Sequence, residues 1–416
     1  MESMIGQGNQ DSFLNIADLR QIVVEALQSL DLTEKKVLFI IPDGTRTMPM
    51  AEMFSIIQEE IISQKVDFLV ALGTHQPMTD AQLSHHLGVD VVDGMAGGHH
   101  IYNHHWENEE TFTQVGIIPA SEIEELSNGM LSMDVPVRLN KLVLEYDQII
   151  ILGPVFPHEV VGFSGGNKYF FPGIAGEEII NFTHWLGALM TSYAVIGSGY
   201  TPVRAVIDRA AEMIPTPTAC FALVVVHDGV HGMYFGSPQD AWRSASALSA
   251  RVHVKYVDKP FKRVLAIMPE LYDDIWTGAK GMYKMEPVIE DGGEVVIYAP
   301  HIDEISYTHG RIIERIGYHV RDYFVKQWDK FKDEPWGVLA HSTHARGIGE
   351  YDAETGIEFP RVKVTLATGI SQEICEKINL GYLDPDSIDI SVWENREDEG
   401  ILVVHRAGEM LYRLKE

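Results

Sequence analysis

Cysteine and positive charge are both scarce in this 416-residue sequence. The two cysteines, Cys220 and Cys375, lie far apart and outside any CxxC pair. This argues against a disulfide scaffold and indicates a reducing cytosol. There are 32 lysines and arginines against 60 aspartates and glutamates, which gives a formal net charge of −28. A surface this acidic repels phosphate backbones and anionic lipid headgroups, so we expect no nucleic-acid and no membrane partner.

Long apolar runs and leader signatures are also missing. The longest apolar run, roughly from Tyr146 to Phe156, is too short to span a bilayer and contains Asp147 and Gln148. The first residues, MESMIGQGNQDSF, have no basic stretch followed by an apolar core, so we expect no signal peptide. Together with the cysteine usage, these absences predict a cytoplasmic protein.

Strand and helix patterns alternate along almost the whole chain. This alternation predicts an α/β fold, with two α/β domains, mainly parallel sheets and an active-site cleft between the domains. The predicted boundary lies near the sequence VDKP, at 257–260. Residues 1–257 would then carry the cofactor and the catalytic histidines, and residues 258–416 would supply substrate-binding residues. Part of 345–370 could pack back on the first domain.

Several elements are predicted individually. Strands are expected at KVLFIIP (36–42), at 66–72, at the segment ending IIILG (142–153), and at GVLAH (337–341). A hairpin is expected at the Asp228-Gly229 turn between CFALVVV and GMYFG. Thr79 and Gln82 form a capping-box signature, and a long helix is expected around Ile313 to Phe331.

Polar clusters follow three of the predicted strands. KVLFIIP runs into Asp43-Gly44-Thr45-Arg46, VDFLVAL runs into Gly73-Thr74-His75, and the strand ending IIILG runs into PVFPHEVVGFSGGNK. Ligands of open α/β sheets bind at the carboxyl ends of strands, so we expect these clusters to meet at one edge. For Asp43 and Arg46 a second interpretation stays open, in which they merely pair to order a turn.

A glycine-rich segment, GFSGGNKYFFPG, contains Lys168 and stands between His158 and His184. It is not a phosphate-binding P-loop, because an asparagine separates the last glycine from the lysine and a tyrosine follows the lysine. Its glycines would still let backbone N–H groups approach an anion. A phosphate-bearing ligand and a purely structural turn both remain open. Two imidazoles and a primary amine could also bind a metal and hold a ligand covalently.

Other histidines form three further groups: His99, His100, His104 and His105; the pair His85 and His86; and His341 with His344. The first group has spacings that could suit zinc, but no cysteine or dedicated carboxylate accompanies it, so surface or supporting histidines are favoured. The pair is expected on a helix surface. The last two are expected to flank a strand end, where they could face the cleft.

The three polar clusters together resemble the nickel-dependent lactate racemase family. The resemblance is carried by DGTR (43–46), GTHQPMT (73–79) and PHEVVGFSGGNKYFFPGIAG (157–176). The spacing of His158, Lys168 and His184 also matches the pattern of that family, and the likeness extends over most of the chain. As a set, these motifs are far more specific than any one of them.

The resemblance implies a nickel-pincer nucleotide, a nicotinate-derived mononucleotide whose pyridinium ring bears two sulfur-containing arms. One arm would be joined to Lys168 as a thioamide. His184 would complete the square-planar set of the nickel, a geometry that Ni(II) favours. Asp43, Gly44, Thr45 and Arg46 would help to hold the nucleotide. Enzymes that build this cofactor would be partners in the cell.

The resemblance also implies a reaction. His75 and His158 would transfer protons on opposite faces of a planar carbon while hydride moves to and from the cofactor. The expected function is racemisation or epimerisation of a small anionic 2-hydroxy acid: lactate-like, malate, or a sugar acid such as gluconate. The alternative is a phosphate- or nucleotide-binding protein without redox chemistry.

Two further residues bear on the substrate. Lys280 matches the family's substrate-binding lysine and would bind the carboxylate. Three residues earlier the lactate racemases carry glutamine, whereas this chain carries Thr277. A shorter hydroxyl side chain leaves room for, or hydrogen-bonds to, a different group on C3 of the substrate.

Overall fold

The structure, a computed structural model, describes residues 4–227 and 229–415. The chain forms two compact units. The first contains the described residues up to Phe156, with Phe163–Ile180 and Pro202–Val252. The second contains Pro157–Gly162, Asn181–Thr201 and the described residues from His253 onward. His158 and His184 thus lie in the second unit, and residues 345–370 do as well. The domain boundary at 257 stays a prediction.

The strands, in chain order, are β1 Ile5–Gly8, β2 Lys36–Pro42, β3 Lys65–Ala71, β4 Met95–Ala96, β5 His99–Asn103, β6 Phe112–Ile118, β7 Val135–Asn140, β8 Gln148–Pro154, β9 Pro157–His158, β10 Gly162–Phe163, β11 Thr218–Val226, β12 Gly229–Gly236, β13 Val254–Val257, β14 Phe261–Ile267, β15 Ile289–Ala299, β16 Gly349–Asp352, β17 Ile357–Pro360, β18 Lys363–Thr368, β19 Gly381–Tyr382, β20 Ile401–Val404 and β21 Leu411–Leu414.

The α-helices are α1 Ile16–Ser29, α2 Met50–Glu60, α3 Asp80–Leu87, α4 Ala120–Leu126, α5 Glu177–Met190, α6 Ser192–Val195, α7 Pro202–Ala211, α8 Pro238–Val252, α9 Ile275–Gly278, α10 Lys280–Tyr283, α11 Gly310–Ile316, α12 Arg321–Val325, α13 Trp328–Phe331, α14 Trp336–Arg346, α15 Gln372–Lys377 and α16 Ile390–Trp393. Strands and helices alternate, which confirms the predicted α/β class.

The first unit is built on an eight-stranded sheet with the order β1-β12-β11-β8-β2-β3-β5-β4. Its central strands are parallel: β11 pairs with β8, β8 with β2, β2 with β3, and β3 with β5. The antiparallel pairs of β1 with β12, β12 with β11, and β4 with β5 lie towards the edges. Strands β2 and β8 are buried along most of their length because they lie at the centre, which explains their nearly continuous apolar sequences.

Helix α1 shows how the first unit fills its core. Leu19, Ile22 and Val23 recur at helical spacing and are buried on one face. They join apolar side chains of α2, α3 and the central strands in one hydrophobic cluster. The capping box predicted for α3 is present, with Thr79 and Gln82 each bonding the other's backbone N–H. The first unit therefore presents rigid strand ends on which loops can be positioned.

The second unit is built on a five-stranded, wholly parallel sheet with the order β19-β18-β15-β14-β20. Leu265, Val296 and Ala367, on three neighbouring strands, form its fully buried centre. Two smaller pairs, β13 with β21 and β16 with β17, also lie in this unit. Helices α9 and α10 follow β14 in the chain, as a parallel α/β unit requires.

Two predicted elements are wrong. The GVLAH segment is part of α14 and not a strand. The residues from Val338 to Ala345 are all buried, so the apolar residues show no periodicity that would distinguish a strand from a helix. The long helix around Ile313 to Phe331 is broken into α11, α12 and α13. The break begins at Gly317, whose φ of 75° ends α11.

One further predicted strand is shorter than expected, and the predicted hairpin is present. The strand predicted over 142–153 begins only at Gln148, after a 3₁₀ turn at Lys141–Leu144. The hairpin between β11 and β12 is confirmed by their antiparallel pairing, although Asp228, in the predicted turn, lies outside the described residues. Within those residues, every helix is too short or too polar to cross a membrane.

Candidate functional site

The loop after β2 carries a buried carboxylate bonded to a histidine. Asp43 follows Pro42 directly and is only 5% exposed. Its Oδ2 lies 2.5 Å from Nδ1 of His75, in the loop after β3. Its Oδ1 accepts the backbone N–H of Thr45 at 3.0 Å and the Thr45 hydroxyl at 2.6 Å. Because β2 and β3 are neighbouring parallel strands, their carboxyl ends bring these two loops together, as expected.

Charges around Asp43 decide its protonation state. Burial by itself would raise the pKa of this carboxyl, but the charge and hydrogen bond of His75, the charge of Arg46 and the Thr45 hydroxyl together hold it well below its usual range. Asp43 is therefore a carboxylate that can only accept hydrogen bonds. It follows that Nδ1 of His75 carries a proton, so Nε2 presents a lone pair when the ring is neutral.

The loop that carries His75 is held by three hydrogen bonds. The backbone N–H of His75 donates to the carbonyl of Leu72 at 2.9 Å, and its carbonyl accepts the indole N–H of Trp106 at 3.0 Å. The neighbouring Gly73 donates its N–H to the carbonyl of Gly173 at 2.9 Å. This last bond ties the His75 loop to the glycine-rich segment. The sequence signal for Trp106 was weak, because nothing in the spacing linked it to His75.

Arg46 points along the same loop. Its Nη1 donates to the Thr45 hydroxyl oxygen at 2.8 Å, and its guanidinium lies 5.8 Å from the centre of the Phe156 ring. The turn-ordering interpretation of Asp43 and Arg46 is thus partly right, since Thr45 joins the two side chains. Arg46 is half-buried, and its positive charge is the kind that holds a phosphate or a carboxylate.

Lys168 lies in a 3₁₀ turn, Gly166–Tyr169. Its backbone N–H donates to Gly165 at 3.3 Å, and its carbonyl accepts the N–H of Gly173 at 3.2 Å. Gly165 and Gly166 have φ of 82° and 59°, a region that side chains rarely allow. At Gly166 an added Cβ would lie 2.9 Å from Cβ of Trp242. The glycines are therefore required by the backbone conformation and by close packing.

Two histidines outside the predicted site donate hydrogen bonds to backbone carbonyls close to it in the chain. His104, in the proposed zinc-like group, is completely buried; its Nε2 donates to the carbonyl of Ala175 at 3.3 Å, and the amide of Asn140 lies 3.2 Å from its Nδ1. Burial lowers its pKa to about 4. His86, expected on a helix surface, is half-buried and donates from Nε2 to the carbonyl of Pro42 at 3.0 Å. It thus supports the residue just before Asp43.

In the second unit, His158 has a different set of neighbours. It is 8% exposed, and its Nδ1 accepts the backbone N–H of Val160 at 3.2 Å. A carboxylate oxygen of Glu159 lies 3.3 Å from the same nitrogen. The Val160 N–H can only donate, so the neutral ring bonded to it carries its proton on Nε2. A protonated ring could instead donate from Nδ1 to Glu159.

His184 lies on α5 and is half-buried. The next residue, Trp185, is fully buried and stacks on Trp328 at 5.1 Å between ring centres, which fixes this turn of the helix. The described residues contain no group of three or more histidine, cysteine, aspartate or glutamate side chains placed to hold a metal ion. A single histidine ligand at His184 stays a prediction.

Thr277 lies in the short helix α9, and Lys280 is the first residue of α10. Asp274 caps α9: its Oδ1 accepts the N–H and the hydroxyl of Thr277, both at 2.9 Å. Asp274 and Thr277 are both buried. Lys280 is half-buried, and its Nζ lies 4.1 Å from the centre of the Tyr272 ring. Because Thr277 donates its proton to Asp274, the hydroxyl oxygen is left to accept a hydrogen bond.

His341 and His344 lie on α14, which corrects their expected place beside a strand. His341 stacks on Trp276 at 3.9 Å, and its Nε2 lies 3.3 Å from the Tyr318 hydroxyl. Burial holds the pKa of His341 well below its usual value and lowers that of His344 to about 3. Neither ring nitrogen of His344 has a hydrogen-bond partner among the described residues. No sequence pattern predicts that His341 stacks on Trp276, the residue before Thr277.

The predicted site residues divide between the two units. Asp43, Gly44, Thr45, Arg46, His75 and Lys168 lie in the first, and His158, His184, Thr277 and Lys280 lie in the second. Within the first unit, Asp43 and His75 are in direct contact and the Lys168 segment is bonded to the His75 loop. The prediction that all ten residues form one site stays a prediction.

Comparisons with known proteins agree with these features. Residues 17–197 match the N-terminal domain of lactate racemase. The chain is 27% identical over 292 residues to a lactate racemase of Thermoanaerobacterium thermosaccharolyticum, covering 68% of this chain and 64% of that protein. It is 28% identical over 164 residues to a lactate racemase of Lactiplantibacillus plantarum, covering 38% and 35%. The matched regions thus span less than two thirds of these curated relatives.

Two solved structures are similar over nearly the whole chain. A crystal structure of a Thermotoga maritima protein has a TM-score of 0.90 and 31% identity, covering 98% of this chain and all of that one. The lactate racemase apoprotein of T. thermosaccharolyticum has a TM-score of 0.71 and 20% identity, covering 97% and 94%, and shares the fold. The match of residues 17–197 and the two curated relatives support the lactate racemase family for this chain.

Proposed function

We propose that this protein is a racemase or epimerase of a small 2-hydroxy acid that works with a nickel-pincer nucleotide. The observation that carries the proposal is the hydrogen bond between the buried Asp43 carboxylate and His75, on a loop bonded to the Lys168 segment. The similarity to lactate racemases supports the same chemistry. A carboxylate behind an imidazole is the arrangement that prepares a histidine to accept a proton.

The donor groups of the first unit fit a tethered nucleotide. Lys168 offers a primary amine in a turn whose glycines leave no room for larger side chains. The Thr45 hydroxyl and the Arg46 guanidinium are suited to sugar and phosphate oxygens. His184 would be the protein ligand of the nickel. When bound, this cofactor supplies the acceptor and donor of hydride at C2 of the substrate.

His75 acts as a base in this proposal. With its proton held on Nδ1 by Asp43, its Nε2 accepts the proton of the substrate hydroxyl as the C2–H bond breaks. The resulting imidazolium is stabilised by the Asp43 carboxylate, whose charge is present throughout the ordinary pH range. Asp43 thus acts through His75, in addition to any part in holding the nucleotide.

His158 completes the exchange on the second face of the planar keto acid. It presents a proton on Nε2 both when its neutral ring accepts from Val160 and when its protonated ring donates to Glu159. When hydride returns, the protonated ring gives its Nε2 proton to the oxygen at C2 and is left neutral, with its remaining proton on Nδ1 facing Glu159. For the opposite direction His158 must accept a proton on Nε2, and this requires Nδ1–H to face Glu159.

The substrate's carboxylate would bind Lys280, since a fixed cation is needed within so acidic a protein. Thr277 would contact the group on C3. Because its hydroxyl proton is given to Asp274, its oxygen best receives a hydrogen-bond donor, such as a hydroxyl of a sugar acid. Lactate offers only a methyl group there, and malate offers a carboxylate that cannot donate when ionised.

Three measurements test the proposal on protein made together with the enzymes that build the cofactor. Intact mass should show an adduct that disappears in Lys168→Ala, with nickel bound. C2-deuterated substrate, chosen by screening chiral 2-hydroxy acids from lactate to aldonates, should keep its deuterium during racemisation in ordinary water. Absence of adduct and nickel would contradict the proposal and favour a nucleotide-binding protein without redox chemistry; deuterium washout would contradict hydride transfer.

A further inference from the structure

The loop that carries Lys168 is held from one side by a helix that the predicted site does not include. Helix α7 directs Arg204 and Asp208, one turn apart, at this loop. Arg204 is 1% exposed; its Nη1 donates to the carbonyl of Gly165 at 2.9 Å and its Nη2 to that of Phe163 at 2.5 Å. Asp208 accepts the side-chain amide of Asn167 at 2.9 Å.

These bonds fix the residues immediately before Lys168. The carbonyl of Gly165 accepts both from Arg204 and from the backbone N–H of Lys168. Asn167 is the neighbour of Lys168 in the chain and is 2% exposed. Two positive-φ glycines give this turn unusual backbone freedom, so its conformation in the native state must be imposed by partners outside it.

Burial of the Arg204 guanidinium is energetically unfavourable by itself. A guanidinium loses much of its hydration when it is buried, and only several well-directed hydrogen bonds repay that loss. Arg204 also lies over the Trp242 ring, 4.4 Å from its centre, which fixes the plane of the guanidinium. The buried guanidinium, bonded to two carbonyls of the loop, therefore holds the loop backbone in one conformation.

We propose that Arg204 and the Asn167–Asp208 pair are positioning residues that hold Lys168 in the conformation required for covalent cofactor attachment. This inference rests on the proposed function. Arg204 acts through the backbone carbonyls of Phe163 and Gly165. Asp208 acts through Asn167, which directly precedes Lys168. Neither residue is proposed to touch substrate.

The test exchanges the partners in the amide–carboxylate pair. Asn167→Asp sets two carboxylates against each other, whereas Asn167→Asp combined with Asp208→Asn restores an amide–carboxylate bond in the reverse direction. We expect the single variant to carry about tenfold less Lys168 adduct by intact mass, and the double variant to recover most of it. Arg204→Lys should lose adduct similarly, because an ammonium cannot bridge both carbonyls in one plane.

A second readout does not depend on the cofactor. In protein made without it, the rate at which acetic anhydride labels Lys168 should rise about threefold or more in Asn167→Asp and return towards wild type in the double variant, with thermal midpoints confirming folded protein. Arg209→Met is the matched control: Arg209 lies on the same helix but pairs with Glu122, so neither readout should change.

The outcomes separate the two proposals. If wild-type protein never carries an adduct, the proposed function fails, while the labelling rates still judge the positioning role. Wild-type labelling and loading in folded Asn167→Asp, or a double variant no better than the single one, would overturn the inference.

Discussion

His75 and His158 have the same proposed task but very different surroundings. Among the described residues, Nδ1 of His75 contacts one group, a buried carboxylate at 2.5 Å, so the Nδ1 proton has a single acceptor. Nδ1 of His158 lies between a backbone N–H donor at 3.2 Å and a carboxylate at 3.3 Å. The first imidazole is therefore set to accept a proton on Nε2, and the second is set to present one. Two histidines with identical chemistry are given complementary states by their neighbours.

Removal of either imidazole is the most severe way to test this comparison. We expect His75→Gln and His158→Gln each to reduce racemisation by about 10³-fold or more, because general acid–base catalysis typically contributes 10²–10⁴. Turnover of both stereoisomers should fall together, since their equilibrium constant fixes the ratio of the two kcat/KM values. The Lys168 adduct should remain in both variants. Near-normal turnover in either one would contradict the two-histidine scheme.

Asp43→Asn tests whether the carboxylate sets the state of His75. The amide can donate to Nδ1 and favour the wrong tautomer, so we expect kcat/KM to fall by about 10²-fold with nickel content unchanged. A loss confined to nucleotide binding would show that Asp43 serves only the cofactor.

Stability should report the same interaction. Because the pKa of Asp43 is lowered in the folded protein, its contribution is fully present above the ordinary aspartate pKa, about 4, and is lost as pH falls further. Chemical unfolding at several pH values should therefore find the wild type and Asp43→Asn converging in acid.

Glu159→Gln is the corresponding change beside His158. Glutamine keeps an acceptor oxygen but loses the negative charge that favours Nδ1–H, so we expect about a tenfold fall in kcat/KM. The effect should be smaller than that of Asp43→Asn, because Glu159 is more exposed than Asp43 and shares Nδ1 with Val160. Glu145→Gln, at an exposed position, is the control. A larger loss than at Asp43 would reverse the comparison.

A second buried carboxylate sharpens the contrast with Asp43. Glu286 is completely buried, and burial raises its pKa to about 7; one oxygen accepts the N–H of Ile348 at 2.8 Å and the other has no hydrogen-bond partner among the described residues. A raised carboxyl pKa means that folding stability is lost as pH rises from about 4.5 through 7.

We therefore expect Glu286→Gln to unfold like the wild type near pH 5 and to be more stable by about 2 kcal/mol near pH 8, with little change in turnover. Urea unfolding at both pH values measures this difference. Equal stability of the two proteins at pH 8 would show that Glu286 is not held in its neutral form.

Sequence patterns could predict the strands and the loops that follow them, because buried parallel strands are nearly continuous apolar runs. They placed Asp43, His75 and Lys168 at strand ends of the first unit. They could not pair Asp43 with His75, since the contact joins residues 32 apart through the register of β2 and β3. The hydrogen bonds from Arg204 to two loop carbonyls could not be predicted for the same reason, because donor and acceptors lie about 40 residues apart in the chain.

Local ambiguity explains the remaining misses. The apolar residues of GVLAH fit either a strand or a buried helix, and only packing within the second unit decides for α14. For His104 a surface or a supporting place was favoured over a metal site, and the sequence could not decide between the two because a string of histidines in a glycine-rich stretch has no burial signal. Its role became visible only through its bonds to Ala175 and Asn140.

The tautomers of the two histidines can be measured directly. Nitrogen-15 NMR of histidine-labelled protein at about pH 8, with His75→Gln and His158→Gln to assign the signals, distinguishes a proton on Nδ1 from one on Nε2. We predict that His75 carries its proton on Nδ1 and that neutral His158 carries it on Nε2. The same tautomer in both rings, or a proton on Nε2 of His75, would contradict the proposal that their neighbours give them complementary states.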